Sequence, residues 1–197
     1  AGVTAFSTPL GPIPLDTGAL ARLRSSPELG GPPAAHDPEH CLEVELPFLA
    51  EVAPGAKLVP ILLGADTDLA TCRAIARALA PLLDEHTVVV ASTDFTHHGA
   101  GYGYAPFGRG PMVGPALVRL ARATAERAAA GDVRGFWNQV EVSGDSVCGV
   151  RAVAVLTELV ARAFDGCGKV LDVTTSGHVS GNWDQAVTYV AVAFEGS

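Results

Sequence analysis

Apolar residues recur at helical spacing in some stretches and crowd into short β-branched runs in others. The alternation of the two sets the fold class. Leu69, Ile75, Leu79 and Leu82 share one side of a helix that Asp66 or Asp68 caps and that runs to about Leu83. A second helix covers 111–130 and stops at Gly131; Asp132 caps a shorter one carrying Phe136 and Trp137. The broadest apolar face belongs to 147–164, through Val150, Val153, Val155, Leu156, Leu159 and Val160. Between the helices lie 57–63 (KLVPILL) and 87–92 (TVVVAS), too apolar for half-exposed strands and read as neighbouring strands covered on both faces. Segments 169–175 and 186–194 complete the strands, joined by a loop over 176–184. Strands alternating with helices predict one α/β domain over 1–197, with three layers and a mainly parallel central sheet flanked by helices.

The opening 38 residues break this pattern. Pro9, Gly11, Pro12, Pro14, Pro27, Gly30, Gly31, Pro32 and Pro33 predict irregular structure with a short helix around 17–24 and no strand. From His40 onward Leu42, Leu46, Leu49 and Val52 return to helical spacing, with Pro47 expected to kink or interrupt the segment. A Gly- and Tyr-rich stretch, 99–110, reads as a loop.

Charge narrows the partners. With 13 Lys+Arg against 21 Asp+Glu and the arginines dispersed, no phosphate-binding stripe exists, and nucleic acid is not an expected partner. No run of eighteen apolar residues occurs and no charged-then-apolar leader opens the chain, so neither a membrane span nor a signal peptide is read. The four cysteines form no C-x-x-C pair, which predicts reduced, mostly buried thiols in a cytoplasmic protein.

Candidate chemistry gathers at a few places. Ser92-Thr93-Asp94-Phe95-Thr96-His97-His98-Gly99 leaves the C-terminal end of the apolar run 87–92, where open α/β sheets bind ligands. A carboxylate and two imidazoles within five residues suit metal coordination or proton transfer; the plainer reading is a solvated loop that contains histidines. His36 and His40 flank Pro38, and on its own each reads as a hydrogen-bonding residue near a helix end. Cys148 opens the helix from Val147, where the positive end of the helix dipole favours thiolate; a lone cysteine elsewhere would be a small buried apolar residue. Cys41, Cys72 and Cys167 carry no stronger reading than that. Strand C-termini and the N-termini of following helices share one side of an α/β sheet, so Asp94, His97, His40 and Cys148 are expected to face one cavity, within about 8 Å of each other for ligands ~2.0–2.3 Å from one metal.

Three ordered motifs carry a resemblance. HDPEHCLEVELPFLA, over 36–50, resembles the "EHS-x-E-x-x-LP-F" signature of the Memo family, also called AmmeMemoRadiSam system protein B. Segment 92–99 is similar to its "SSD-[FL]-x-H-x-G" motif, Cys148-Gly149 to its "CG" motif before a long helix, and 183–194 to its closing strand. The resemblance implies a fold related to class III extradiol ring-cleaving dioxygenases, in which two histidines and a carboxylate hold iron(II). Memo-like proteins place a cysteine at the carboxylate's position. Carried over, His40 and Cys148 correspond to metal ligands, and Asp94 and His97 to the catalytic acid and imidazole of the site, with His97 moving a proton and Asp94 a further ligand. Family members have another histidine upstream, in an "H-A-G-Y"-type segment. The stretch 7–16 resembles a family segment C-terminal to that histidine, so an N-terminally incomplete domain is expected, completed by the upstream segment or a second chain.

The function expected on this basis is non-haem metal binding with iron-dependent redox or dioxygenase-like capacity. Iron(II) is the first choice of metal, with copper or zinc as alternatives, and a small aromatic or peptide ligand is the expected partner. Two rival readings use the same residues: a peptide or small-ligand binding module with a vestigial site, and a zinc hydrolase. Thiolate in place of carboxylate favours zinc or copper(I) and is itself open to oxidation.

Overall fold

The computed structural model describes residues 4–163 and 167–194. The chain divides into two compact units between Val88 and Val89.

In the first unit, β1 (Ala5–Thr8) and β2 (Gly11–Pro14) form an antiparallel hairpin with Ala5 opposite Pro14. Gly11 supplies the positive φ (119°) of the turn, and the Thr8 hydroxyl locks it by donating to the Gly11 carbonyl at 2.7 Å. Pro12 and Pro14 hid this strand in the sequence. Leu15 N–H bonds the Thr4 carbonyl, so the hydrogen-bonded pairs are 4/15, 6/13 and 8/11, and Pro12 and Pro14 fall at the positions between, where no ladder bond is lost. Helix α1 (Thr17–Leu23) is capped by Asp16, which accepts from Ala19 N–H at 2.8 Å. Turns lead to α2 (Leu46–Val52), where Pro47 sits in the first turn and starts the helix rather than kinking it. Helix α3 (Leu69–Leu79) is capped by Asp68 and continues as one 3-10 turn, Ala80–Leu82, matching the expected span. Ile13, Leu23, Leu46, Cys72, Ile75 and Leu79 are buried.

The second unit holds β3 (His97–Gly99), α4 (Val113–Ala129), α5 (Val133–Ser143), α6 (Val150–Ala163), β4 (Lys169–Thr175), α7 (Ser176–Ser180) and β5 (Gln185–Ala193). The three strands make one antiparallel sheet in the order β3-β5-β4. Asp132 caps α5 as its position implied, accepting from Gly135 N–H at 2.8 Å. Leu117, Ala121 and Ala125 of α4 are fully buried, and Gly114 lets the Trp183 ring close in: a Cβ there would stand 2.6 Å from the ring. The predicted loop after β4 contains α7, and the loop 99–110 contains one 3-10 turn, Ala100–Tyr102.

The fold is therefore mixed α/β, but the mainly parallel central sheet is not observed among the described residues. The sheets are antiparallel, and the one parallel pairing found is the isolated bridge from Leu15 to Leu58. Segments 59–63 and 87–92 run outside any strand ladder, and Val88 and Val90 are 82% and 62% exposed. A β-branched apolar run signals only that a strand is favourable; the ladder needs a neighbour of matching register, and among the described residues 59–63 and 87–92 pair with none. The thiol expectation also needs correction. All four cysteines are free, but only Cys72 is buried, while Cys148 and Cys167 are exposed. No helix among the described residues is long and apolar enough to cross a membrane.

Candidate metal centre

Strand β3 pairs on one side with β5, and on its other side Gly99 bridges to Tyr104. The segment between α5 and α6 covers that side at His97. The His97 N–H donates to Ser146 Oγ at 2.8 Å, and the Ser146 hydroxyl donates back to the His97 carbonyl at 2.9 Å. His97 Nδ1 lies 2.9 Å from the Ser146 carbonyl. A carbonyl only accepts, so Nδ1 carries the proton and the neutral ring presents its lone pair at Nε2.

A second set of bonds ties the chain before β3 to the start of α6. Gly149 N–H donates to Thr93 Oγ1 at 2.9 Å and Cys148 N–H to the Asp94 carbonyl at 3.2 Å. Asp94 N–H in turn reaches the Cys148 sulfur at 3.2 Å. A Cβ on residue 149 would stand 2.5 Å from Thr93 Cβ, so glycine is what permits the approach. These contacts bridge 49 to 56 positions of sequence.

Their result is that Asp94, His97 and Cys148 each offer a ligand atom, all within 4.8 Å of one another. His97 Nε2 faces Asp94 Oδ2 at 3.8 Å. Three potential ligand atoms thus converge, and with Nδ1 holding the ring proton His97 presents a lone pair to the other two. Such a set could hold a metal ion. Ligands about 2.1 Å from a tetrahedral ion stand roughly 3.4 Å apart, so the observed spacing is close to what an ion needs. The imidazole, carboxylate and thiol set fits a borderline or soft divalent metal.

Of the residues singled out in the sequence, three meet here. His40 belongs to the first unit; its side chain is 83% exposed, with Nδ1 3.3 Å from Glu39 Oε1. Glu39 also accepts from the His40 and Cys41 N–H groups, which hold its carboxyl below the ordinary range. His36 stands edge-on to Phe6. His98 is fully buried, stacked on Phe107 with Nε2 at the Gly108 carbonyl, and serves packing rather than the centre. Cys148 sits two residues ahead of α6 rather than in its first turn, so backbone N–H contacts from Asp94, more than the helix end, shape its surroundings.

Several contributors were not singled out from the sequence. Thr93 and Ser146 have no motif of their own, and only their nearness to Asp94 and Cys148 marks them. Tyr102 packs edge-on against His97, ring centres 5.3 Å apart, and was visible only as part of an aromatic loop. Asp145, beside Ser146, is buried, and that burial pushes its carboxyl above the ordinary range; the Thr96 hydroxyl, the Ser146 N–H and the nearby His97 imidazole oppose the shift. Burial and the Asp145 charge likewise raise the Tyr104 phenol.

Comparison with known proteins identifies the family of the chain. Residues 2–193 match the family described as Memo-like protein. A MEMO1 family protein of Methanopyrus kandleri is 35% identical over 195 residues, covering 96% of this chain and 64% of that protein. Counterparts from Thermococcus kodakarensis and Thermococcus onnurineus are 35% and 32% identical, each with 95% of this chain and 67% of the relative covered. The chain thus spans about two thirds of the length of the curated relatives it matches. On the family match and these identities together, the chain belongs to the Memo family.

Proposed function

We propose that this protein is a non-haem metal-binding protein whose ion is held by the His97 imidazole, the Asp94 carboxylate and the Cys148 thiolate. The convergence of three electron-pair donors within 4.8 Å carries the reading. Iron(II) is the metal we favour, with a class III extradiol dioxygenase-like fold and redox capacity, on the strength of the family resemblance. Bound iron(II) would supply an oxygen-reactive Lewis acid beside an exposed face. The chain's own residues supply position: Ser146 fixes the ring proton on His97 Nδ1, and the Asp94 N–H bond orients the sulfur. The same resemblance extends the ligand role to His40.

The soft sulfur ligand supports a second reading, in which zinc or copper is held and the cleft binds a small aromatic or peptide ligand without turnover. The free cysteines fit the cytoplasm as the place of work. The test is direct. Protein purified without chelators is analysed for metal, then titrated anaerobically with iron(II), zinc and copper(I), and oxygen uptake is followed with catechols. Micromolar or tighter iron(II) binding with catechol-dependent oxygen uptake supports the dioxygenase-like reading; tight zinc binding without uptake supports the binding module. No binding of any of these ions rejects both. His40→Ala with unchanged affinity would remove His40 from the ligand set.

A further inference from the structure

Behind the His97 clasp lies a group of buried oxygens that takes no part in the metal centre. Asp145 is 6% exposed, and Thr96 and Thr188 are 0% exposed. Both carboxylate oxygens of Asp145 and the hydroxyls of Thr96 and Thr188 are buried and meet no hydrogen-bond partner among the described residues. These groups share one place. Thr188 stands one step beyond the His97–Val187 pair, and its N–H bonds the Thr96 carbonyl at 2.9 Å, so Thr96 and Thr188 oppose each other and present their side chains on one face. The Thr96 hydroxyl and Asp145 carboxyl act on each other, since the hydroxyl pulls the acid's pKa down. They nonetheless form no direct hydrogen bond of good geometry.

Successive strand residues point to opposite faces, so Thr96 and His97 look to opposite sides of β3. The neighbouring residues Asp145 and Ser146 follow the same division. Ser146 grips His97 on one side, and Asp145 faces Thr96 on the other. An orphaned buried oxygen destabilises the fold, more so when charged, so several left together would be strongly unfavourable unless something joins them. Buried waters do this, with two to four polar partners each.

We propose that Thr96, Asp145 and Thr188 bind an ordered internal water that bridges the strand to the 145–146 segment and makes Asp145 a positioning residue for the His97 imidazole. The water accepts from a threonine hydroxyl and donates to the Asp145 carboxyl, fastening the segment one residue back from the point where Ser146 holds the ring. Its role is independent of which ion, if any, the centre takes, so it is tested without metal.

Oxygen-17 magnetic relaxation dispersion counts long-lived internal waters, and nitrogen-15 NMR reads the His97 Nδ1–H through its exchange rate. Metal-free wild type is compared with Thr96→Val, Asp145→Asn and Asp145→Leu. Thr96→Val and Asp145→Leu are expected to lose one water's worth of dispersion amplitude and to speed Nδ1–H exchange roughly tenfold, the scale on which outer-shell partners act. Asp145→Asn, which keeps shape and polar atoms, is expected to retain both signals. Should Asp145→Leu fail to fold, Thr96→Val, which removes a hydroxyl at nearly constant shape, decides the matter. Unchanged dispersion and exchange in folded Thr96→Val overturns the proposal. So does loss of the clasp in Asp145→Asn, which would show that the charge alone, not a bridged water, holds the segment.

Discussion

Two histidines of this molecule show what makes an imidazole ready for chemistry. His97, in the second unit, is 19% exposed in its side chain and is held by residues 49 positions away, through three bonds to Ser146. His40, in the first, is 83% exposed, and its side chain stands against Glu39, its immediate neighbour in the chain. A local contact between adjacent residues costs little to form and little to break, because both side chains keep most of their rotamer freedom. A contact across distant sequence survives only when the fold around it is intact, and it fixes tautomer and direction together. Position is therefore prepaid at His97 and left open at His40.

The sharpest way to break that comparison is to remove the sulfur. Cys148→Ser leaves the backbone bond from Cys148 N–H to the Asp94 carbonyl in place and replaces a soft donor by a weak one. We expect metal affinity to fall by more than the roughly 100-fold that outer-shell changes cost, with the melting temperature of the metal-free chain little altered. Isothermal titration with zinc and a thermal melt check the two halves. A loss of under tenfold would mean that the prepaid geometry of Asp94 and His97 holds the ion without sulfur.

Next comes the approach that brings the sulfur to Asp94. Gly149→Ala puts a methyl 2.5 Å from Thr93 Cβ and 2.8 Å from the Ser92 carbonyl oxygen, and neither neighbour is the free end of a flexible side chain. The expected cost is about 1–3 kcal/mol by chemical denaturation, and metal affinity should fall with it because the 93–94 segment must shift. Full stability with intact affinity would show that the segment has slack.

The Asp145 carboxyl gives a pH-dependent test of the same clasp. Its folded pKa is raised, first by burial, while Thr96, the Ser146 N–H and His97 pull the other way and Tyr104 is held up by its charge. A raised carboxyl pKa means the folded state binds the proton better, so this group's contribution is fully present below 3.8 and is lost as pH rises through the folded pKa. Asp145→Asn escapes that loss. The variant should match or trail wild type near pH 4 and exceed it near pH 7 in melts taken across that range. A gap independent of pH would mean that the acid is ionised at no cost in the fold.

How far the sequence reached follows the same division between local and distant determinants. Helix caps at Asp68 and Asp132, the stop at Gly131 and the apolar stripes depend on residues within a turn or two, and each was legible. The hairpin over 5–14 was not, because its prolines read as irregular until the pairing places them between the ladder bonds. Asp94, His97 and Cys148 could be named from motifs, yet their meeting depends on Thr93, Ser146 and Gly149, whose roles exist only once distant segments are paired. Nothing in 140–150 as a string tells that Asp145 faces one side of β3 and Ser146 the other.

The smallest expected effect concerns the run 87–92, where local preference and surroundings disagree most. Val88 and Val90 are 82% and 62% exposed and stand outside any ladder, whereas Leu117 on α4 is 0% exposed. Val90→Thr keeps β-branching and changes one methyl to a hydroxyl. At an exposed position this should move stability by no more than ~0.5 kcal/mol, while Leu117→Ala should cost about 2–5 kcal/mol. The pair, measured by urea denaturation, weighs the run against the core on one scale. A Val90→Thr cost above about 1.5 kcal/mol would indicate a hydroxyl placed among apolar neighbours, since burial of an unpaired polar group costs about that much. The run would then be a covered strand in solution, the mainly parallel sheet predicted from its composition would return, and the contrast between a prepaid second unit and a loosely held 87–92 would fail at that point. A cost near zero leaves 87–92 as an apolar strand-former without a partner, held in place by the chain on either side and not by its own side chains.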